Sequence, residues 1–189
     1  AFTIPLERAM RPRMTGVRGK VLVRGDRVIA EEVRGEVQGV GYRLDGSVKA
    51  SNPSAGYDVS IATDPFTVPE TLDPAIDLPR VLRQIHDRLA PSGTMRLEAH
   101  AKRDANTGKE TYDGVVELID ARAVYADFPL PAESLVGDIR FSDREVVIDG
   151  LRGEMAGGGT VRARGTIGPP GDTAAVKLLV QLRDVPVGE

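Results

Sequence analysis

The sequence predicts an all-β chain, mainly an antiparallel meander, with one short amphipathic helix. Three observations carry that prediction. Apolar and polar residues alternate one by one through most of the chain, which is the period of a strand with one dry and one wet face. Short polar breaks and glycines punctuate the runs at hairpin spacing. A motif is also written twice, as "VRGEVQGVGYRLDGSV" from Val33 and "LRGEMAGGGTVRARGTI" from Leu151. Arg34, Gly35, Glu36, Gly39 and Gly41 recur 118 residues later as Arg152, Gly153, Glu154, Gly157 and Gly159. After one added residue the match resumes, with Arg43 and Gly46 opposite Arg162 and Gly165.

The first copy places Val17, Val21 and Val23 on one side of a strand that ends at the polar break "RGDR", 24–27. Val28 follows on the next run, then Leu44, Gly46 and Val48, the loop "SNPSAG", and Tyr57, Val59 and Ile61. The acid- and proline-rich "TDPFTVPETLDPAIDLP" reads as a crossing loop. Beyond it Leu78, Val81, Leu82, Ile85 and Leu89 fall at helical spacing, and Pro91 with Gly93 ends the pattern. "TMRLEAHAK" and "TYDGVVELIDARAVY" return to strand around a hairpin loop at 105–110. The second copy sets Leu135, Gly137, Ile139 and Phe141 against polar neighbours and breaks at "SDRE", 142–145. Val146 and Ile148 come next, then Val161, Ala163, Gly165 and Ile167. After the loop "GPPGDT" the chain closes with Val176, Leu178, Val180 and Leu182. Clean alternation of this kind favours antiparallel over buried parallel strands. The expected organisation is a first β-repeat unit over 1–75, a crossover helix over 76–93 and a second unit over 94–189, continuous with the first as one sheet. About eleven strands at roughly 4.8 Å spacing would extend on the order of 50 Å.

Composition narrows the function classes. A formal charge of −3 gives no global basic field for nucleic acid, and 4% aromatic residues without Trp offers few stacking platforms. The absence of cysteine removes thiol catalysis, disulfides and thiolate metal sites. No run of about 18 apolar residues occurs, so no helical membrane span is expected. The start "AFTIPLERAM" lacks the charged start and apolar core of a signal peptide, and a strand-like run ends almost at the last residue. Either a targeting segment has been removed or the chain is a piece of a longer one, and the late strand favours the second reading.

The candidate chemical motifs are weak. His86 sits on the predicted helix and His100 in a strand, next to no carboxylate cluster at metal spacing; both read as surface residues. "GGG" at 157–159 has neither a following helix nor a Lys-Ser/Thr pair, so a phosphate loop fails and a turn or bulge remains. The acids of "TDPFTVPETLDPAID" lack EF-hand spacing, and no serine lies in a nucleophile elbow. No enzyme activity, metal or cofactor is expected.

The segments "VRGKVLVRGDRVIAEEVRGEVQGVGYRLDGSV" and "LVGDIRFSDREVVIDGLRGEMAGGGTVRARGTI" resemble the repeats of AsmA- and TamB-type bacterial envelope proteins. The shared pattern is a Gly-containing strand, a polar turn, a short apolar run, an "LRG" step, a Gly-rich turn and an "xxGxI/V" strand. The lead-in "DFPLPAESLVGDIRF" and the segment "IHDRLAPSGTMRLEAHAK" are similar to flanking parts of such repeats. The resemblance implies a periplasmic β-groove, taco-like in section, with an apolar inside, tethered to the inner membrane. It implies a role in moving phospholipid toward the outer membrane, with no catalytic residues. This chain holds about two repeats and no membrane segment, which implies a fragment of the gutter.

Physics fits that picture. An apolar side on every strand needs cover from a second sheet, a helix or a ligand, and one short helix covers only part of it. A curled but open sheet would leave room for phospholipid or another acyl-chain lipid. The same alternation also describes a two-layer sandwich whose halves bury each other, serving as a structural or adhesive envelope module. The strand parities nominate Val17, Val21, Val23, Val28, Leu44, Val48, Val59 and Ile61 in the first unit as lipid-facing. Met95 and Leu97 follow between the copies. In the second unit they are Leu135, Ile139, Phe141, Val146, Ile148, Val161, Ile167, Val176, Leu178, Val180 and Leu182. On the groove reading, Asp at Leu178 or Ile139 abolishes lipid capture and spares the fold. Terminal strands would pair with neighbouring repeats or another copy through their edges, and nucleic acid is not expected as a partner.

Overall fold

The computed structural model describes residues 14–50, 56–70, 86, 87, 89–125, 128–168 and 175–185. Among the described residues eleven strands form: β1 (Met14–Arg24), β2 (Arg27–Val37), β3 (Val40–Lys49), β4 (Tyr57–Thr63), β5 (Phe66–Val68), β6 (Ser92–Arg103), β7 (Glu110–Tyr125), β8 (Phe128–Ser142), β9 (Val146–Met155), β10 (Thr160–Gly168) and β11 (Ala175–Arg183). They hydrogen-bond as one sheet in the order β1-β2-β3-β4-β6-β7-β8-β9-β10-β11, with β5 also on β6. The meander expected from the alternation is therefore present as a single sheet, not as the two separate sheets of a sandwich. By contacts the chain divides into two compact units, residues 1–65 with 97–114 and residues 66–96 with 115–189. These boundaries fall between β4 and β5, within β6 and within β7, whereas the repeat-based division followed sequence alone.

Two expectations change. The segment read as a crossing loop contains the three-residue strand β5, where Phe66, Thr67 and Val68 pair with Met95, Thr94 and Gly93. The crossover helix lies mostly outside the described residues. His86, Asp87 and Leu89 are helical, with the Ala90 amide donating to the His86 carbonyl at 2.8 Å, while Ser92 and Gly93 already belong to β6. The loops "SNPSAG" and "GPPGDT" and the acids beyond Glu70 also lie outside the described residues, apart from Gly56 and Gly168 at the loop ends.

The turns follow from local chemistry. Gly25 and Asp26 join β1 to β2. Gln38 and Gly39, with φ of 52° and 82°, make the left-handed two-residue turn between β2 and β3, the geometry that matches strand twist. In the equivalent place of the second copy, Ala156 to Gly159 form a longer turn closed by Met155 N to Gly159 O at 3.1 Å. That turn holds the added residue that shifts the offset from 118 to 119. Between β6 and β7 the Asp104 carboxylate accepts from the amides of Asn106 and Thr107 at 2.9 and 2.8 Å and from the Thr107 hydroxyl. Backbone donors replace water there and hold the Asp104 carboxyl below its usual range.

The repeat is reproduced in the backbone itself. Left-handed residues at 16, 19, 32, 39 and 46 recur at 134, 137, 150, 157 and 165. Register shifts between Thr15, Arg18 and Lys20 on β1 recur between Glu133, Val136 and Asp138 on β8. The shift between Ala30 and Val33 on β2 recurs between Ile148 and Leu151 on β9. Each unit thus contains one four-strand meander, β1–β4 or β8–β11, with the same irregularities. At one pair of positions the reason is steric. A Cβ on Gly46 (φ 148°) would lie 2.7 Å from Val59 Cα, and one on Gly165 (φ 159°) would lie 2.8 Å from Leu178 Cα. The neighbouring strand's backbone comes too close for any side chain.

Gly46→Ala is expected to cost about 1–3 kcal/mol from clash and strain. Gly39→Asn, at an open turn position that Asn accepts, should cost a few tenths. Urea unfolding midpoints of the two variants check the order.

Candidate functional site

Directly paired residues of an antiparallel ladder share a face, so the register sorts each unit's side chains. In the first unit Val21 pairs Ala30, Val23 pairs Val28, and Val28 pairs Val48. Leu44 pairs Val33 and Ile61, Val48 pairs Tyr57, Val59 pairs Ala101, and Ile61 pairs Ala99. One apolar face therefore carries Val21, Val23, Val28, Leu44, Val48, Val59 and Ile61 together. Leu97 extends the β6 alternation of Ala99 and Ala101 and is half-buried. Val17 lies within the irregular part of β1 and is exposed. Cover on this face is sparse: Val21 and Val23 are 62% and 71% exposed, and Tyr42 is the one buried apolar residue among the described residues of this unit.

The second unit repeats the arrangement with deeper burial. Ile139 pairs Ile148, Phe141 pairs Val146, and Ile167 pairs both Val146 and Val176. Val161 pairs Leu182, Ala163 pairs Val180, and Gly165 pairs Leu178. Leu135, Ile139, Phe141, Val146, Ile148, Val161 and, on β6, Met95 are all buried. Across β10 the burial falls away: Leu178 is half-buried, while Val176, Val180 and Leu182 are exposed. A cavity of about 300 Å³ opens on this side. Six of the nominated residues line it, namely Leu135, Ile148, Val161, Leu178, Val180 and Leu182, together with Leu89 from the helical turn. Its remaining walls are Ala, Leu and Met side chains, so no side chain there offers a hydrogen bond.

Leu151 and Met155 line the cavity and are buried, although the alternation did not nominate them. Counting by twos from Val146 and Ile148 puts Leu151 on the wet face. Gly150 (φ 71°) is an extra residue that resets the parity, so Ala163 pairs Leu151 and Val161 pairs Gly153. The available signal was the first copy, where Val33 pairs Leu44 after an equivalent shift. Leu118 and Ala121 of β7 are also buried without having been nominated.

The opposite face of the first unit is polar and ion-paired. Lys20 reaches Glu31 at 2.9 Å, and Arg43 reaches Asp45 at 3.0 Å and Glu32 at 3.6 Å. His100, expected as a surface residue beside no carboxylate cluster at metal spacing, is partly exposed and stands between two single carboxylates. Its Nε2 is 2.8 Å from Asp58 and its Nδ1 is 3.5 Å from Asp113, while Lys102 reaches Asp58 at 3.0 Å. Strand pairing, not sequence proximity, brings them together: Asp58 pairs Lys102 and Ser60 pairs His100. The Asp58 hydrogen bond raises the imidazole above its ordinary value, and the His100 and Lys102 donors hold Asp58 below its own. Among the described residues no group of three His, Asp or Glu side chains is disposed to hold a metal ion.

No family model matches the chain, and no curated protein or solved structure matches it.

Truncation should distinguish wall from rim. Ile148→Ala is expected to cost about 2–4 kcal/mol, and Leu182→Ala less than about 1 kcal/mol, by denaturant unfolding. A raised His100 value means that its contribution to stability is complete below about pH 6.5 and is lost as pH rises through the folded value. NMR titration should find His100 above the ordinary histidine value, and Asp58→Asn should return it toward that value.

Proposed function

We propose that the apolar faces bind the acyl chain of a phospholipid or similar lipid. On this reading the chain is a groove segment of an envelope protein that carries lipid between the inner and outer membranes. The observation that carries the reading is the cavity of about 300 Å³ with its all-apolar side-chain lining, at the lower end of the roughly 300–1,000 Å³ of small-molecule sites. Hydrocarbon is the ligand class such a wall fits, because a polar ligand would lose its hydrogen bonds to water without replacement. Each methylene taken from water contributes about 0.8 kcal/mol, so about ten contribute on the order of 8 kcal/mol before ordering costs. The exposed valines of β1 and the exposed rim on β11 supply further apolar surface in each unit. Periplasmic placement and an inner-membrane tether come from the resemblance to AsmA- and TamB-type repeats. No described helix is long and apolar enough to cross a membrane.

Purification without detergent followed by lipid mass spectrometry tests the reading. Co-purified phospholipid is expected, and a lipid-free protein defeats the proposal. Rim variants are the clean probes: Val180→Asp and Leu182→Asp should lose lipid while circular dichroism stays unchanged. Ile139→Asp no longer serves, because Ile139 is buried and a carboxylate there is expected to unfold the second unit.

A further inference from the structure

The two repeats differ in charge where their backbones agree. On the polar face the rung Arg34↔Arg43 between β2 and β3 recurs as Arg152↔Arg162 between β9 and β10. Guanidinium groups directly opposite each other repel. In the first repeat Glu32 and Asp45 neutralise Arg43. The positions equivalent to those acids hold Gly150 and Arg164 in the second. Asp58, the acceptor from His100 and Lys102, is likewise replaced by Lys177. Arg152, Arg162, Arg164 and Lys177 are exposed. Asp149 and its cross-strand partner Asp138 share this face, and Asp149 is engaged by Arg140 at 3.2 Å. Glu154, opposite Thr160, occupies the next rung on the same face, two residues from Arg152.

Apolar groups sit among these cations. Leu179 pairs Arg164 across the strands and is 45% exposed. With Val147, Thr166, Lys177, Arg164 and one acid, Asp149, it lines a shallow depression of about 550 Å³. We propose that this face of the second unit docks on the anionic headgroup surface of a phospholipid bilayer. A headgroup layer supplies phosphates to the four cations and hydrocarbon beneath them to Leu179. An acidic protein would satisfy the cations and leave Leu179 against charge, and nucleic acid would find no aromatic residue here for its bases. The chain's formal charge of −3 does not oppose docking, since attraction is local within about 8 Å at physiological salt. This docking uses the face opposite the cavity and does not rest on the lipid-groove reading.

Co-sedimentation with vesicles tests it, using phosphatidylcholine alone or mixed with phosphatidylglycerol. The full chain is expected to bind the mixed vesicles, to ignore the neutral ones and to release with added salt. The double variant Arg164→Asp with Lys177→Asp installs the residues that the first repeat carries on an equivalent backbone, Asp45 and Asp58, so folding is expected to persist. Each basic residue near an anionic surface is worth about fivefold, so binding should fall roughly 30-fold or more. Lys20→Asp, an exposed charge reversal on the polar face of the first unit, should leave vesicle binding unchanged, which separates this face from the chain's cations in general. The proposal is overturned if wild type does not bind mixed vesicles or if the folded double variant binds them equally well. Equal binding of wild type to soluble polyglutamate assigns the face to an acidic protein and also overturns it.

Discussion

A β-strand sends successive side chains to opposite faces, so an alternating sequence commits one whole side of its sheet to being apolar. Leaving that side bare over many strands is costly, and nothing in the ladder hydrogen bonds supplies its cover. The second unit covers part of it with its own residues: Leu135, Ile139, Phe141, Val146, Ile148, Leu151 and Met155 are buried. The cover runs out across β10 and β11, and in the first unit it scarcely begins. None of the described side chains is less than 2% exposed. The unfilled side is thus a consequence of strand geometry in a chain whose described elements include little besides strands.

The irregularities are as much a part of the design as the alternation. The extra residue at Glu32 or Gly150 shifts the following stretch by one, which returns Val33 and Leu151 to the apolar face. Without that step the second half of each strand would turn its apolar residues to water. Gly46 and Gly165 permit a neighbouring backbone to approach where the sheet needs it. These features recur at offsets of 118 or 119 residues, so the repeat preserves a backbone path and not merely a composition.

That division explains what the sequence disclosed. Period two was enough to place Val161, Ile167, Leu178 and Val180 on one side, because β10 and β11 pair without a shift along their whole length. It failed for Leu151 and Met155, where one left-handed residue resets the count and alternation carries no mark of it. The short strand β5 was hidden by the prolines and acids around it, since Phe66–Val68 is too brief to display a period. Pairing between distant segments also leaves no mark in the sequence, so nothing there joins His100 to Asp58, 42 positions away. Burial depth could not be inferred either: Val146 and Val180 are equally apolar in sequence, yet one is 2% and the other 46% exposed.

The two faces of the repeat answer to different constraints. On the apolar side the equivalent residues stay apolar: Val28 becomes Val146, Leu44 becomes Ala163, Val59 becomes Leu178 and Ile61 becomes Val180. A change to charge there would place an ion where neither water nor a partner is assured. On the wet side Asp45 becomes Arg164 and Asp58 becomes Lys177, a reversal that the backbone tolerates because exposed ion pairs contribute little to stability. The fold is therefore set by one face, which leaves the sign of the other free to vary. A sheet built on this principle can change what its polar face meets without altering the apolar face that its strands are obliged to form.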